Sequence, residues 1–245
     1  MAVYNGANYV TDAVDSILKQ SFKNFEFIII DDGSTDATYQ ILKELSQKDS
    51  RIKVITQKNI GLTSALNKGL ELCQSTLIAR QDGDDISYPT RLQIQYDYMS
   101  TAQNTDVVLL GGVCDDEHID GASSLWPYYN NSQINNTIYL KSPFAHSTVM
   151  FRRDIVKKLK GYDVTYKTSQ DMEFWMRLHK IGRVEMIETP ILLRRINHDS
   201  ISAKRKWRQF YDSSRARLKY APWLTPKLKA LKYSLKIGIL SILPL

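Results

Sequence analysis

The stretch FEFIIIDDGSTD, residues 25–36, decides how this sequence folds, because it joins a strand to an acidic turn. Its first six residues are mostly aromatic or β-branched, which is typical of a short buried strand. Asp31 and Asp32 follow that strand directly. Ligands of open α/β sheets bind beyond the carboxyl ends of strands, so we expect both carboxylates at a ligand-binding edge. A turn with a helix N-cap would account for Gly33 and Asp36, but not for two acids beside a buried strand.

Helix and strand patterns alternate on both sides of this stretch. The predicted segments are helices at 10–18, 62–73 and 172–180 and strands at 52–55, 77–79, 107–113 and 147–151. This alternation predicts an α/β fold with a mainly parallel central sheet flanked by helices. Residues 115–141 are predicted to form a loop or short elements. Residues 1–3 supply only a few strand residues, so we expect the first strand of the sheet to be truncated.

A second acidic turn, Asp82-Gly83-Asp84-Asp85, follows the predicted strand 77–79. Three carboxylates within four residues repel one another, and a bound cation relieves this repulsion. Mg²⁺ and Mn²⁺ prefer oxygen ligands, and Mg²⁺ is typically held by one or two carboxylates together with substrate phosphates. Such a metal would stabilise a diphosphate leaving group. The alternative interpretation is a solvated acidic turn that binds no metal.

Asp171 opens a predicted helix whose apolar residues Phe174, Trp175 and Leu178 face the core. A carboxylate at this point can act as a general base in catalysis. It can also be an N-terminal acid that the helix dipole favours. Spacing alone favours the second interpretation.

Two of the four histidines are candidate site residues. His146 directly precedes a predicted strand, and His198 lies in the polar segment 194–200. His118 and His179 lie in polar or helical settings and are predicted to be structural or solvated. A lone histidine is more often a structural residue than a ligand, so the sequence leaves both interpretations open for His146 and His198.

Taken together, these segments resemble the family-two glycosyltransferases of the GT-A fold, especially the bacterial enzymes of surface polysaccharide assembly. The resemblance runs from Ala2 to about Ser202, and its motifs occur in the order of that family. The matching segments are 2–5 (AVYN), 16–22 (SILKQSF), 25–36, 59–62 (NIGL), 65–69 (ALNKG), 79–89 (ARQDGDDISYP) and 146–152 (HSTVMFR). The resemblance implies the GT-A nucleotide-diphospho-sugar transferase fold and a catalytic domain at 1–202.

The resemblance also implies which residues hold the donor, a nucleotide-diphospho-sugar. Tyr4, Asp31 and Asp32 would bind the nucleoside, and Asn59 would be a further donor-binding residue. Asp82 would contact the ribose or the donor sugar. Asp84 would bind Mg²⁺ or Mn²⁺, and the family match leaves His198 as a further candidate metal ligand.

For catalysis, the resemblance implies an inverting single displacement. Asp171 corresponds to the catalytic base in the E-D motif of the family, whereas Gln170 stands where the family has Glu, so the second carboxylate is absent. His146 would lie on the acceptor side. The Q-x-x-R-W motif of processive members is also absent, which favours one transfer per encounter. The expected acceptor is a glycan or lipid-linked glycan.

Two other classes of protein remain open from the sequence. One is a catalytically inactive nucleotide-sugar-binding or scaffolding protein, which would use the same carboxylates for binding alone. The other is a nucleotidyltransferase, which shares the α/β architecture. The sequence contains no Gly-rich, Lys-containing phosphate loop of the kind that such an enzyme would use.

Charge divides the chain of 245 residues into two parts. Its net charge is +7, yet residues 203–245 hold eleven Lys or Arg and a single acid. This segment also carries apolar residues at helical spacing, first around Trp207 and Tyr211 and again over 228–242. Such a pattern is typical of amphipathic helices that lie on anionic membranes. The alternative is that the helices pack on the catalytic domain or in a dimer, and no nucleic-acid-binding module accompanies the basic residues.

The expected location is the cytoplasm, with the protein peripheral at the inner face of the cell membrane. The two cysteines, Cys73 and Cys114, do not form a metal-binding or disulfide motif, which fits a reducing compartment. No stretch has the pattern of a signal peptide or of a helix that spans a bilayer.

Overall fold

The computed structural model describes residues 1–118, 121–196, 205–220 and 235. Residues 2–72 form a three-stranded parallel sheet with a helix after each strand. The strands are β1 (Ala2–Val3), β2 (Phe27–Asp31) and β3 (Ile52–Thr56), in the order β1-β2-β3. The helices are α1 (Val10–Leu18), α2 (Thr38–Lys48) and α3 (Leu62–Leu72).

β2 is buried on both faces, as its sequence predicts. Phe27 and Ile29 pack into one apolar cluster, which contains residues of α1 and α2. Ile28 and Ile30 pack into the main core, which contains Leu66 of α3. Because successive strand residues point to opposite faces, this run of apolar residues joins the two helical layers.

The second sheet has six strands and mixed pairing. These strands are β4 (Leu77–Ala79), β5 (Ile86–Ser87), β6 (Val107–His118), β7 (Ser123–Leu125), β8 (Met150–Arg152) and β9 (Arg183–Ile196). Their order is β4-β8-β6-β9-β5, with β7 beside β6; β6 and β9 are parallel and the other pairs are antiparallel. The remaining helices are α4 (Arg91–Ser100), α5 (Asn131–Thr137), α6 (Arg153–Lys158), α7 (Gln170–His179) and α8 (Lys206–Tyr220).

Several strands differ from the sequence-based expectation. β8 begins at Met150 and not at 147, because residues 146–148 form a 3-10 turn, and the short strand β5 is not predicted by the sequence. β6 continues to His118, through residues predicted to be loop, and β9 was not predicted. The polar ends of these strands neutralise each other: Arg194 of β9 donates two hydrogen bonds of 2.8 Å to Asp116 of β6. Charged residues that a local pattern assigns to a loop are therefore paired within the sheet.

β1 connects the two sheets at the edge where the acidic turns lie. Ala2 pairs with Ile30 of β2 and also forms a parallel bridge to Asp82. β1 is two residues long. A cavity of about 370 Å³ lies between the sheets, lined by residues that include Met1 and Ile78.

α8 covers part of the predicted basic tail. The predicted domain boundary at 202, His198 and most of the second apolar stripe lie outside the described residues. α8 packs against α7, and its buried residues are Asp212, Ser213, Ala216 and Arg217. Within the part of the chain that the structure describes, no helix is both long and apolar enough to cross a membrane.

Candidate active site

The acidic turn between β4 and β5 brings three carboxylates together. Oxygens of Asp82, Asp84 and Asp85 lie within 4.8 Å of one another. The turn follows a strand and adjoins β1, so backbone pairing fixes its position. Three carboxylates at this spacing are the donor set that hard divalent cations prefer. The residues present therefore fit Mg²⁺ or Mn²⁺.

A buried arginine neutralises the first of these carboxylates. Arg80, the residue after β4, is buried and forms an ion pair with Asp82. The Ser147 hydroxyl donates a hydrogen bond of 2.7 Å to Asp82 Oδ2. Burial alone would raise the pKa of Asp82, but the charge of Arg80 and the hydrogen bond from Ser147 lower it below its usual value. Asp82 is consequently held ionised and in a fixed orientation.

The other two carboxylates are compensated only in part. Burial and the charge of Asp82 raise the pKa of Asp84 to about 6. Burial, Asp82 and Asp84 raise the pKa of Asp85 to about 7. These shifts mean that the ionised turn is electrostatically unfavourable without a cation, which is the condition that a divalent metal relieves.

This arrangement predicts that metal stabilisation depends on pH. Asp84 and Asp85 have pKa values above the ordinary 3.8, so their stabilising contribution is fully present below that value and is lost as they ionise near pH 6 and 7. A bound cation offsets this loss. We expect Mn²⁺ to raise the Tm more at about pH 8 than at about pH 5. Thermal unfolding with and without Mn²⁺ tests this, and an equal increase at both pH values would contradict it.

Asp171 lies in the same region of the molecule. It is the second residue of α7. Ser169, the residue directly before this helix, has a positive φ of 52°. Burial raises the pKa of Asp171 and outweighs the hydrogen bonds from the backbone N–H groups of Met172 and Asp171, which lower it. The charge of Arg80 also lowers this pKa, and the charge of Asp82 raises it. The structure thus brings Asp171 within electrostatic range of the acidic turn. A carboxylate with a raised pKa is a stronger proton acceptor than an ordinary aspartate.

His146 borders this cluster. Its Nε2 is 2.8 Å from the hydroxyl of Tyr162, and its ring meets the edge of Trp175 at 5.6 Å between ring centroids. Burial, together with the charge of Arg80, places its pKa well below 6.5, so the ring is neutral at pH 7. A neutral imidazole can donate or accept a hydrogen bond, which fits the predicted acceptor side without testing it.

The predicted nucleoside-binding carboxylates lie at the end of β2, both buried. Asp31 Oδ2 accepts a hydrogen bond of 3.0 Å from Thr56 Oγ1. Asp32 accepts from the Gln57 amide at 2.7 Å and from the Gly61 N–H at 2.8 Å. Asp32 therefore organises the loop after β3, whereas Asp31 binds the last residue of that strand. Their direct role toward a nucleoside stays a prediction.

Gly33 allows the loop after β3 to approach this edge. Its φ is +74°, and a Cβ there would lie 2.7 Å from the Asn59 backbone nitrogen and 2.9 Å from the Gln57 carbonyl oxygen. Any other residue would both clash with this backbone and adopt a left-handed conformation. Asn59 itself is exposed, as is Tyr4. Both lie at the surface, where a ligand can reach them.

Sequence reasoning missed three residues of the cluster. Arg80 and Ser147 occur inside matching segments, but the sequence alone indicates no role for them, and it indicates Asp85 only as an acid of the turn. Asp85 Oδ1 accepts a hydrogen bond of 3.1 Å from the Arg195 N–H, which ties the turn to β9. An arginine two residues before an acidic turn was the available signal for the ion pair.

Comparison with known proteins gives a family match over most of the chain. The model of the family described as Glycosyl transferase family 2 matches residues 1–160. The O-antigen biosynthesis glycosyltransferase WbnJ of Escherichia coli is 36% identical over 181 residues, which are 73% of this chain and 69% of WbnJ.

Solved structures match nearly the whole chain. TarS of S. aureus in complex with UDP-GlcNAc has a TM-score of 0.73 at 18% identity, with 96% of this chain and 71% of the TarS chain covered. The mannosyltransferase PcManGT of Pyrobaculum calidifontis, in complex with GDP-Man and Mn²⁺, has a TM-score of 0.71 at 14% identity, with coverage of 96% and 68%. At these identities the likeness shows a shared fold, and it confirms the predicted α/β class of the GT-A type.

Proposed function

Because the chain belongs to glycosyl transferase family 2, we propose that it moves a sugar from a nucleotide-diphospho-sugar to an acceptor hydroxyl, with inversion at the anomeric carbon and one transfer per encounter. The observation that carries this proposal is the cluster of Asp82, Asp84 and Asp85 next to β1, with Asp171 near enough for the charges of Arg80 and Asp82 to act on it. It supplies a proton acceptor next to a site suited to a metal-bound diphosphate.

In the proposed reaction, Asp171 takes the proton of the acceptor hydroxyl as its oxygen attacks the anomeric carbon. The bond from that carbon to the diphosphate oxygen breaks, and the sugar passes through an oxocarbenium-like state. Asp84, with Asp85 and Asp82, would hold Mg²⁺ or Mn²⁺, which neutralises charge on the leaving diphosphate when it is bound. Asp82, fixed by Arg80 and Ser147, would orient the ribose or donor sugar.

The proposed donor site lies along the edge formed by β1, β2 and the acidic turn. Tyr4, Asp31, Asp32 and Asn59 border its nucleoside end. Support for a nucleotide-sugar donor comes from the structural neighbours, one in complex with UDP-GlcNAc and one with GDP-Man and Mn²⁺.

A panel of nucleotide sugars tests the proposed function directly. Each donor is incubated with the full chain and Mn²⁺ or Mg²⁺, with and without glycan acceptors, and released nucleoside diphosphate is measured. Metal-dependent release from at least one donor is expected. Binding of a donor without release under any condition would favour the alternative, an inactive nucleotide-sugar-binding protein. Release of pyrophosphate instead would indicate a nucleotidyltransferase.

We further propose surface polysaccharide or a lipid-linked glycan as the product class, made at the cytoplasmic face of the membrane. The O-antigen relative supports this product class. The exposed face of α8 supports the membrane contact: Trp207, Tyr211 and Leu218 are 59%, 57% and 52% exposed. Lysine and arginine residues surround these apolar side chains, at positions 206, 208, 215 and 219. Aromatic residues beside cations favour an anionic bilayer surface.

The triple variant Trp207→Ser, Tyr211→Ser, Leu218→Ser tests this contact. Its cosedimentation with anionic vesicles should fall several-fold, because the apolar surface that enters the headgroup region is removed. Added salt should weaken binding of the parent protein, since Lys206, Arg208 and Lys219 are exposed. The matched control is Tyr39→Ser with Leu72→Ser, which removes exposed apolar side chains elsewhere. Equal loss in control and test variants would argue against a membrane-facing role for α8.

A further inference from the structure

The fully buried carboxylate of Asp212 lies in the contact between α8 and the segment before α7. A carboxylate in such a place is unfavourable unless it is paired and hydrogen-bonded. The ε-nitrogen of Arg208, one helical turn earlier, donates to Asp212 Oδ2 at 2.9 Å. The remaining partners of Asp212 come from outside the helix, and their position in the chain suggests a function.

Asp212 Oδ2 binds two consecutive residues just before the candidate base. The N–H groups of Lys167 and Thr168 each donate to this oxygen at 3.1 Å. The Thr168 hydroxyl donates to it at 3.0 Å. These residues precede Asp171 by four and three positions. One carboxylate oxygen of α8 therefore fixes the backbone that leads into α7.

The residue between this contact and α7 has an unfavourable backbone conformation. Ser169 is left-handed, with φ 52° and ψ 21°, although it is not glycine. Such a conformation persists when the surrounding contacts determine it. Asp212 supplies these contacts on one side, and on the other side the Glu173 N–H donates to the Ser169 carbonyl at 3.1 Å. The direction in which α7 begins, and with it the place of Asp171, depends on both.

A second contact ties the same two helices together. The Tyr220 hydroxyl at the end of α8 donates to Glu173 Oε1 at 2.6 Å, and Arg177 donates to both oxygens of Glu173. Glu173 is fully buried, two residues after Asp171. The middle of α8 thus contacts the segment before α7, and the end of α8 contacts the first turn of α7.

We propose that Asp212 is a positioning residue for the transfer reaction: by fixing the backbone of Lys167 and Thr168, it sets the orientation of Asp171 toward the acceptor hydroxyl. This inference rests on the proposed function only in taking Asp171 as the base. It assigns α8 to the catalytic unit, whereas the charge pattern of the sequence places this helix in an appended tail.

The variant Asp212→Ala in the full chain tests this role. Hydrogen exchange of the Lys167 and Thr168 amides should rise at least about tenfold, since their acceptor is removed. Turnover, measured as nucleoside diphosphate release from the panel donor that the parent uses, should fall about 10- to 100-fold. Donor affinity should stay within about twofold, because the contact lies away from the acidic turn.

Two further variants keep the test decisive if Asp212→Ala folds poorly. Thr168→Val removes one hydrogen bond and leaves α8 unchanged, so the same changes should appear at smaller size. In the double variant Asp212→Ala, Asp171→Asn, turnover should lie within about twofold of Asp171→Asn alone, because Asp212 acts through Asp171. Asp163→Asn is the matched control: Asp163 binds the N–H of Thr165 in the same loop and pairs with Lys219 of α8 at 4.0 Å, but it does not bind the N–H of Lys167 or Thr168.

Three outcomes would overturn the inference: unchanged exchange at Lys167 and Thr168, raised exchange with normal turnover, or an equal loss of turnover and donor affinity. A parent protein that releases nucleoside diphosphate from no donor contradicts the proposed function instead. In that case the exchange of these two amides still decides whether Asp212 holds the segment before α7.

Discussion

Replacing Asp171 with asparagine is expected to lower turnover by about 10²-fold or more while donor affinity stays within about twofold. Asparagine has the size of aspartate and can accept the same N–H groups at the start of α7, but it cannot take a proton at neutral pH. Only the chemical step should therefore suffer. The measurement compares steady-state turnover with the affinity for the donor, determined by calorimetry on the same variant.

A helix-terminus role for Asp171 predicts a different result. An acid in the first turn of a helix contributes about 1 kcal/mol or less to stability, and its loss leaves turnover nearly normal. Asp154 is the matched control, because it is also the second residue of its helix and is exposed. Asp154→Asn should change turnover by less than twofold. If Asp171→Asn behaves like Asp154→Asn, Asp171 is not the base.

The pH dependence gives an independent check on Asp171. Its pKa is raised by burial, so the ionised, proton-accepting form is lost at a higher pH than for an exposed aspartate. In the metal-saturated enzyme, the acid limb of kcat/KM should therefore lie at a higher pH than the pKa of an exposed aspartate would give. The limb should be absent from the residual activity of Asp171→Asn, which separates Asp171 from other groups that titrate in this range.

The parts of the fold that local pattern specifies could be predicted from the sequence. The apolar run of β2 has few alternatives to a buried strand, and the comparisons confirm the α/β class. The grouping of Asp82, Asp84 and Asp85 was also predictable, because the three residues are neighbours in sequence. For these features, residues close in the chain decide the structure.

The features that escaped prediction depend on partners far away in the chain. β9 contains charged residues and Pro190, and it reads as a strand only when Asp116 of β6 is present to pair with Arg194. The role of α8 likewise depends on Asp212, 44 residues from Thr168. A single acid in a basic segment looks unimportant until the backbone that it binds is known.

The buried guanidinium of Arg80 explains why so many acids can lie together. It is paired with Asp82. Its positive charge also offsets part of the increase that burial causes in the pKa of Asp84 and of Asp171. One arginine does not balance all the carboxylates, because the pKa of Asp84 is still raised. The remaining imbalance is the reason that we expect a metal here rather than a solvated turn.

Asp84→Asn should weaken Mn²⁺-dependent donor binding by about 10²-fold or more. Losing an outer-shell partner of a metal commonly costs 10- to 100-fold in affinity, so losing a direct ligand should cost at least the upper end of that range. Asp84 is the most informative choice, because Asp82 is engaged by Arg80 and Asp85 is engaged by the Arg195 N–H. Calorimetry with UDP, GDP and the active donor, each with and without Mn²⁺, measures the change.

The same variant should also be more stable than the parent in the absence of metal. Asp84 has a pKa of about 6, so at about pH 8 it is ionised in the folded protein at an energetic cost, and asparagine removes that cost. Weaker metal binding combined with a higher metal-free Tm is the pattern that a metal ligand predicts. A turn without metal predicts the higher Tm with unchanged donor affinity, whereas damage to the fold lowers both. Asp97→Asn, an acid on α4, serves as the control and should change neither quantity.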